Sequence, residues 1–160
     1  VFVGDGDGLD QIADARAQGG LQNIRLLPYQ PNSRLKEVME SGDVHLISMR
    51  DEAAGCLVPS KLYSALAVAR PCIFIGPDAC EAAKVIQDFK AGQIVHQGRV
   101  RELIDAILRY RNDGDLWFEA HGGALEAGKV FVPQDSMDAW ISRARDMAGA
   151  QNDNPGKAAG

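Results

Sequence analysis

An open, doubly wound α/β sheet is the fold class this sequence predicts. Three observations predict it. Short, nearly continuous apolar runs recur along the chain, segments with apolar residues at helical spacing lie between them, and glycines and prolines punctuate the junctions. Continuous apolar runs mark strands covered on both faces, as in parallel sheets. Parallel strands in turn require helical crossovers.

The strands are expected at 1–4, 23–28, 43–49, 71–76 and 93–96. The first helix, 9–18, puts Leu9, Ile12, Ala13 and Ala17 on one stripe, and the second, 34–41, groups Leu35, Val38 and Met39. The third, 60–69, carries Leu62, Leu66 and Ala69. The fourth, 78–89, opens on Asp78 with Glu81 three residues on, a capping pattern. The fifth, 100–111, repeats Leu103, Ile104, Ile107 and Leu108. Beyond residue 112 the strands stop; helices are expected at 115–128 and 136–147, joined by a turn at Pro133, with Trp117, Phe118 and Trp140 packing them onto the sheet. Residues 1–149 read as one domain and 150–160, polar and rich in Gly, Pro and Asn, as a disordered tail. The chain opens directly on the apolar Val1-Phe2-Val3 without a methionine, so the expectation is that it begins inside a larger protein.

Composition removes several function classes. The 160 residues are 46% hydrophobic and 24% charged, ordinary for a globular domain. A net charge of -5 argues against a nucleic-acid partner, which needs a basic surface. Three cysteines, Cys56, Cys72 and Cys80, have no Cys-x-x-Cys spacing, which argues against a disulfide framework or zinc ribbon and favours a reducing, cytoplasmic setting. His45 reads as a packed strand histidine, and His96 and His121 have no partners at metal spacing, so no metal is expected. No apolar run reaches the roughly 20 residues of a membrane span.

Ligands of such sheets bind beyond the carboxyl ends of the strands, which directs attention to residues 4–8, 28–33, 49–59 and 76–78. Gly4-Asp5-Gly6-Asp7-Gly8 follows the first strand, but Leu9 stands where the dinucleotide fingerprint has its third glycine, so a tight turn is the favoured reading. The richest segment runs from Arg50 to Tyr63. Gly55 lets backbone approach a ligand, and Pro59-Ser60-Lys61 opens a helix whose unpaired N–H groups favour an anion. Lys61 adds a charge and Ser60 a hydroxyl; a simple capped helix with a surface lysine is the alternative. Asp51 and Glu52 suit sugar hydroxyls or a solvated acidic loop. Tyr29, before Gln30 and Pro31, reads as a base-facing edge or as a turn whose tyrosine covers core.

Pro59-Ser60-Lys61-Leu62-Tyr63, followed by Ala67-Val68-Ala69-Arg70-Pro71-Cys72-Ile73, resembles the retaining, GT-B-type group 1 glycosyltransferases, family 4-like, of bacterial surface-polysaccharide assembly. Val3-Gly4-Asp5-Gly6, Asn23-Ile24-Arg25-Leu26-Leu27-Pro28-Tyr29 and Asp43-Val44-His45-Leu46 resemble further segments of that family in the same order. The resemblance implies a Rossmann-like donor domain binding a nucleotide-sugar, with UDP-sugar the leading form, as substrate and with no separate cofactor. The diphosphate would lie on Gly55, Cys56, Leu57, Val58, Ser60 and Lys61, the base and ribose near Tyr29, Gln30 and Ser64, and the sugar near Arg50, Asp51 and Glu52. Many relatives carry glutamate at the place of Ser64, and Ala69 stands where glycine is usual. They also begin the domain with one further, central strand, and precede it with an acceptor-binding domain that would hold any catalytic base. The implied partners are that domain, a peripheral contact with the inner face of a membrane, and self-association through the incomplete sheet. The residues leave open a non-enzymatic receiver-like signalling or nucleotide-binding module; half of a sugar-nucleotide epimerase, which can share the two-domain fold, and a remnant without activity are further alternatives.

Overall fold

The computed structural model describes residues 1–6 and 8–131. Five strands occur in the expected order: β1 (Phe2–Val3), β2 (Leu26–Leu27), β3 (His45–Ser48), β4 (Cys72–Ile75) and β5 (Gly92–Val95). The helices are α1 (Leu9–Gly19), α2 (Leu35–Glu40), α3 (Ser60–Ala67), α4 (Glu81–Phe89), α5 (Val100–Asn112) and α6 (Gly114–Val130). The expected helix at 136–147, Trp140, the Pro133 turn and the tail at 150–160 lie outside the described residues.

Every pairing is parallel, but the strands form two sheets, β1-β2 and β3-β4-β5. A doubly wound sheet of order 3-2-1-4-5-6 grows outward in both directions from a central strand. Here β2-β1 corresponds to its 3-2 half and β3-β4-β5 to its 4-5-6 half, so the split falls where the central strand would lie.

The three-stranded sheet is covered on both faces. His45, Cys72 and Gly92 are in register, as are Ile47, Phe74 and Ile94. On that face Ile47, Cys72 and Phe74 pack with Leu62 and Leu66 of α3, Val85 and Ile86 of α4, and Ala124 and Ala127 of α6. The opposite face packs Ile73 and Val95 on Ala106 and Tyr110 of α5 and Ala120 of α6. In contrast, no described residue before Met39 is buried.

Three local expectations are corrected. The inward stripe of α5 is Leu103, Ala106 and Tyr110, while Ile104, Ile107 and Leu108 are exposed. A small alanine between two larger residues lets the helix approach the sheet, a choice that spacing alone does not reveal. Phe118, one residue round from the inward Trp117, is exposed. The cap of α4 is the Cys80 Sγ, accepting from the Ala83 N–H at 3.4 Å, and not Asp78.

α6 is tied to the loops that enter the strands. The Trp117 Nε1–H donates to the Asp43 carbonyl at 2.9 Å. His121 Nδ1 lies 2.6 Å from the Ala69 carbonyl, which can only accept, so this nitrogen carries the proton. The two rings stack at 4.9 Å. Gly123 and Gly128 let the helix touch backbone: a Cβ there would collide with the Phe89 and Leu66 carbonyls respectively. α3 ends at Ala69, a non-glycine residue at φ 54, with its N–H donating to Leu66 O at 2.9 Å and the Arg70 N–H to Ala65 O at 2.9 Å. His45 is a packed histidine, as expected; its Nε2–H donates to the Met39 carbonyl at 2.8 Å.

The three features generate three expected outcomes in denaturant unfolding. Gly123→Ala costs more than about 2 kcal/mol because backbone must move, whereas Gly122→Ala, whose Cβ meets nothing within 4 Å, gains up to about 1 kcal/mol of helix propensity; equal effects would refute the close approach. Ala69→Gly raises stability by about 1 kcal/mol by relieving the left-handed backbone; a loss would contradict it. Burial lowers the pKa of His45 most, its bond to Met39 opposes this, and Lys61 and Arg70 lower it further. A lowered folded pKa makes the unfolded chain bind more protons, so this stability is complete above about pH 6.5 and is lost as pH falls through the folded value. The wild-type chain should therefore lose more stability than His45→Gln between about pH 7.5 and 5.5; parallel losses would exclude His45 as the source.

Candidate functional site

The carboxyl ends of the strands carry every loop singled out from the sequence. β1 ends at Gly4, at φ 135, a conformation open to glycine. The Gly6 carbonyl accepts from the Leu9 N–H at 2.8 Å and the Gly8 carbonyl from the Ile12 N–H at 3.2 Å. This is the tight strand-to-helix turn; Asp7 lies outside the described residues.

After β2, Tyr29 stands 70% exposed, so it does not cover core as the turn reading required. Its hydroxyl donates to Asn32 Oδ1 at 3.2 Å, and the Gln30 side-chain amide donates to the Pro28 carbonyl at 2.9 Å. The loop thus presents a ring face held by local bonds.

After β3, Arg50 is extended and residues 51–53 make a short 3-10 turn. The Cys56 and Leu57 N–H groups both donate to Ala53 O at 3.1 Å. Two of the backbone donors expected for a diphosphate are therefore engaged within the loop. Gly55 takes φ 81, as the turn requires. Cys56, Leu57 and Val58 are exposed. Pro59 is the cap residue of α3 and Ser60 its first helical residue, with no side-chain cap. Among the described residues, no acceptor meets the Ser60 or Lys61 N–H. The mouth of α3 is unplugged and carries the positive end of its dipole.

Two side chains are placed differently from a free phosphate site. Lys61 Nζ donates to the Leu46 carbonyl of β3 at 3.0 Å, and desolvation lowers its pKa, with Cys72 opposing. The Ser64 hydroxyl donates back to Ser60 O at 3.4 Å, within its own helix. The Cys72 thiol is pushed up to about 12 by burial, so this cysteine is inert.

A cleft of about 680 Å³ is lined by Arg50, Glu52, Ala53, Cys56, Leu57 and Gln97. It joins Arg50 and Glu52, expected for sugar, with Cys56 and Leu57, expected for diphosphate, but not Tyr29, Gln30, Asp51, Gly55, Val58, Ser60, Lys61 or Ser64. Gln97 was missed from the sequence. It follows β5, and its position at a strand's carboxyl end before Gly98, at φ 81, was the available signal. Beside it, His96 Nε2 lies 3.0 Å from Asp78 Oδ2, tying the loops after β5 and β4 together.

Residues 1–113 match the family model described as glycosyl transferases group 1. The chain belongs to the group 1 glycosyl transferases. It is 30% identical over 89 residues to WcaI of Escherichia coli strain K12, a protein named for glycosyl transfer in colanic acid biosynthesis. That match covers 56% of this chain and 22% of WcaI. The fold is similar to the crystal structure of WaaG, a glycosyltransferase involved in lipopolysaccharide biosynthesis, with a TM-score of 0.62 at 20% identity, over 79% of this chain and 32% of WaaG. This group 1 chain therefore has the Rossmann-like α/β architecture of a GT-B enzyme and spans well under half the length of these relatives. Among its described residues, no helix is long and apolar enough to cross a membrane, and no three His, Cys, Asp or Glu residues are grouped to hold a metal.

Proposed function

We propose that this chain is the nucleotide-sugar-binding part of a retaining glycosyltransferase of surface-polysaccharide biosynthesis, with a UDP-sugar as donor. The observation that carries the reading is the open mouth of α3, where the Ser60 and Lys61 N–H groups and the helix dipole meet the rim of the sheet. Positioned N–H groups stabilise a departing diphosphate without reorganising when charge develops. Gly55 and Val58 add donors not used by the turn, and Lys61 supplies a cation once its ammonium leaves the Leu46 carbonyl. The exposed Tyr29 ring offers a flat surface to a base, with Gln30 and Ser64 beside the ribose. Arg50 and Glu52 face the sugar from the wall of the cleft, with Asp51 beside them in the same turn.

The relatives' names, in colanic acid and lipopolysaccharide biosynthesis, support a polysaccharide setting. The acceptor and any catalytic base belong to a second domain, and the enzyme works in the cytoplasm or at the inner face of the membrane. Nucleotide-sugar is a substrate, and the reading requires no metal or further cofactor.

Titration of UDP and UDP-sugars, followed by calorimetry and by the amide resonances of Ser60 and Lys61, tests this. Both amides shift on binding. Ser60→Glu places a carboxylate at the helix mouth, which suits the helix but repels phosphate, and should weaken UDP by roughly tenfold or more. No shift at these amides at millimolar UDP, or unchanged affinity in Ser60→Glu, would refute the site.

A further inference from the structure

β5 leaves the core at Val95, which is buried, and the residues after it make a tight turn. The Arg99 N–H donates to the His96 carbonyl at 3.1 Å, and Gly98 takes φ 81. A bonded four-residue turn with its third residue left-handed is of type II, and the residue before that glycine forms its corner. The corner residue is Gln97. The turn is also held from outside. The His96 Nε2–H donates to Asp78 Oδ2 at 3.0 Å, since an ionised carboxylate can only accept. Asp78 follows the neighbouring strand β4. α5 starts directly after the turn, with the Leu103 N–H donating to the Arg99 carbonyl at 3.1 Å. Gln97 is thus fastened to two strands and a helix, yet its own side chain is exposed.

That side chain lines the cleft of about 680 Å³ whose other wall is the loop after β3, with Arg50 and Glu52. β4 lies between β3 and β5 and runs out into Gly76, which has no side chain to raise over the rim. The cleft is therefore bounded by charged groups from one strand and by one carboxamide from another.

We propose that Gln97 reads the donor's sugar across this cleft, that Asp78 and His96 are positioning residues that aim it, and that the sugar is an uncharged hexose. The inference rests on the nucleotide-sugar reading and adds the sugar class and its selecting residue. A carboxamide donates and accepts at once, which matches a pair of neighbouring hydroxyls. Arg50 and Glu52 offset one another, so the cleft carries no net charge to reward a charged sugar. A uronic acid drawn to Arg50 would meet the Glu52 carboxylate, and an amino sugar drawn to Glu52 would meet the Arg50 guanidinium. Ala53 and Leu57 add apolar surface for the C–H face of the ring. A pinned turn suits this role, because a group held in place before binding loses little freedom on binding.

Calorimetric titration of the chain with UDP, UDP-glucose, UDP-galactose and UDP-glucuronic acid tests this, with UDP as the internal control for folding. At least one of the two neutral donors binds more tightly than UDP-glucuronic acid. Gln97→Ala weakens that donor by roughly fivefold or more and leaves UDP unaltered. Asp78→Ala weakens the same donor, but adds no further loss in the Gln97→Ala background, as a residue acting through Gln97 must. Equal effects of Gln97→Ala on UDP and on the neutral donor, or no effect on either, overturn the assignment of Gln97. Tighter binding of UDP-glucuronic acid overturns the sugar class. A loss from Asp78→Ala that persists without Gln97 overturns the positioning role. Absence of UDP binding by the wild-type chain refutes the nucleotide reading itself and this inference with it, a result distinct from UDP binding without a contribution from the sugar.

Discussion

The parallel ladder of β3, β4 and β5 is the constraint on which the rest of this structure depends. It is covered on one face by α3 and α4 and on the other by α5, so its strands must be apolar throughout, and Ile73 and Phe74 are essentially removed from water. Burial on this scale, worth about 1.5–3 kcal/mol per large side chain, fixes where each strand ends. The loops at the carboxyl ends inherit that precision. The segment from Arg50 to Pro59 leaves β3 beside Gly76 at the end of β4, and Gln97 leaves β5 on the far side. α6 closes the opposite end through Trp117, His121 and two glycines, so the rim is left free for ligand while the base of the sheet is sealed.

The first part of the chain lacks this support. β1, α1 and β2 pair and coil as their sequences direct, yet bury nothing fully. Apolar residues such as Phe2, Val3 and Leu27 keep much of their surface in water. Hydrophobic stabilisation follows area removed from water, and a two-stranded ladder of two residues per strand is marginal on its own. The described residues form two separate parallel ladders, and only the three-stranded one is covered on both faces.

This explains what was legible in the sequence. Strands and helices were readable because continuous apolar runs and helical spacing record burial on both faces, and the order of elements followed directly. The inward face of α5 was not readable, because Ala106 matters through its smallness and not through hydrophobicity. The cap of α4 was not readable because a thiol competes with a carboxylate only once Asp78 is turned toward His96. At the site, the helix mouth at Ser60 could be read from Pro59 and its neighbours. The placement of Lys61 could not, since spacing says nothing about an acceptor fifteen residues earlier on the outer side of an edge strand. Gln97 joins the cleft through the packing of β5 alone, a nonlocal fact.

Lys61 unites these points. An ammonium prefers water or an anion, and a single backbone carbonyl replaces neither fully. Its lowered pKa records that cost, with desolvation as the leading cause. The hydrogen bond to Leu46 persists because the alternative is an open edge with an unpaired carbonyl, itself costly wherever water is partly excluded. On the nucleotide-sugar reading, a diphosphate at the mouth of α3 offers the Lys61 ammonium a better partner than the Leu46 carbonyl.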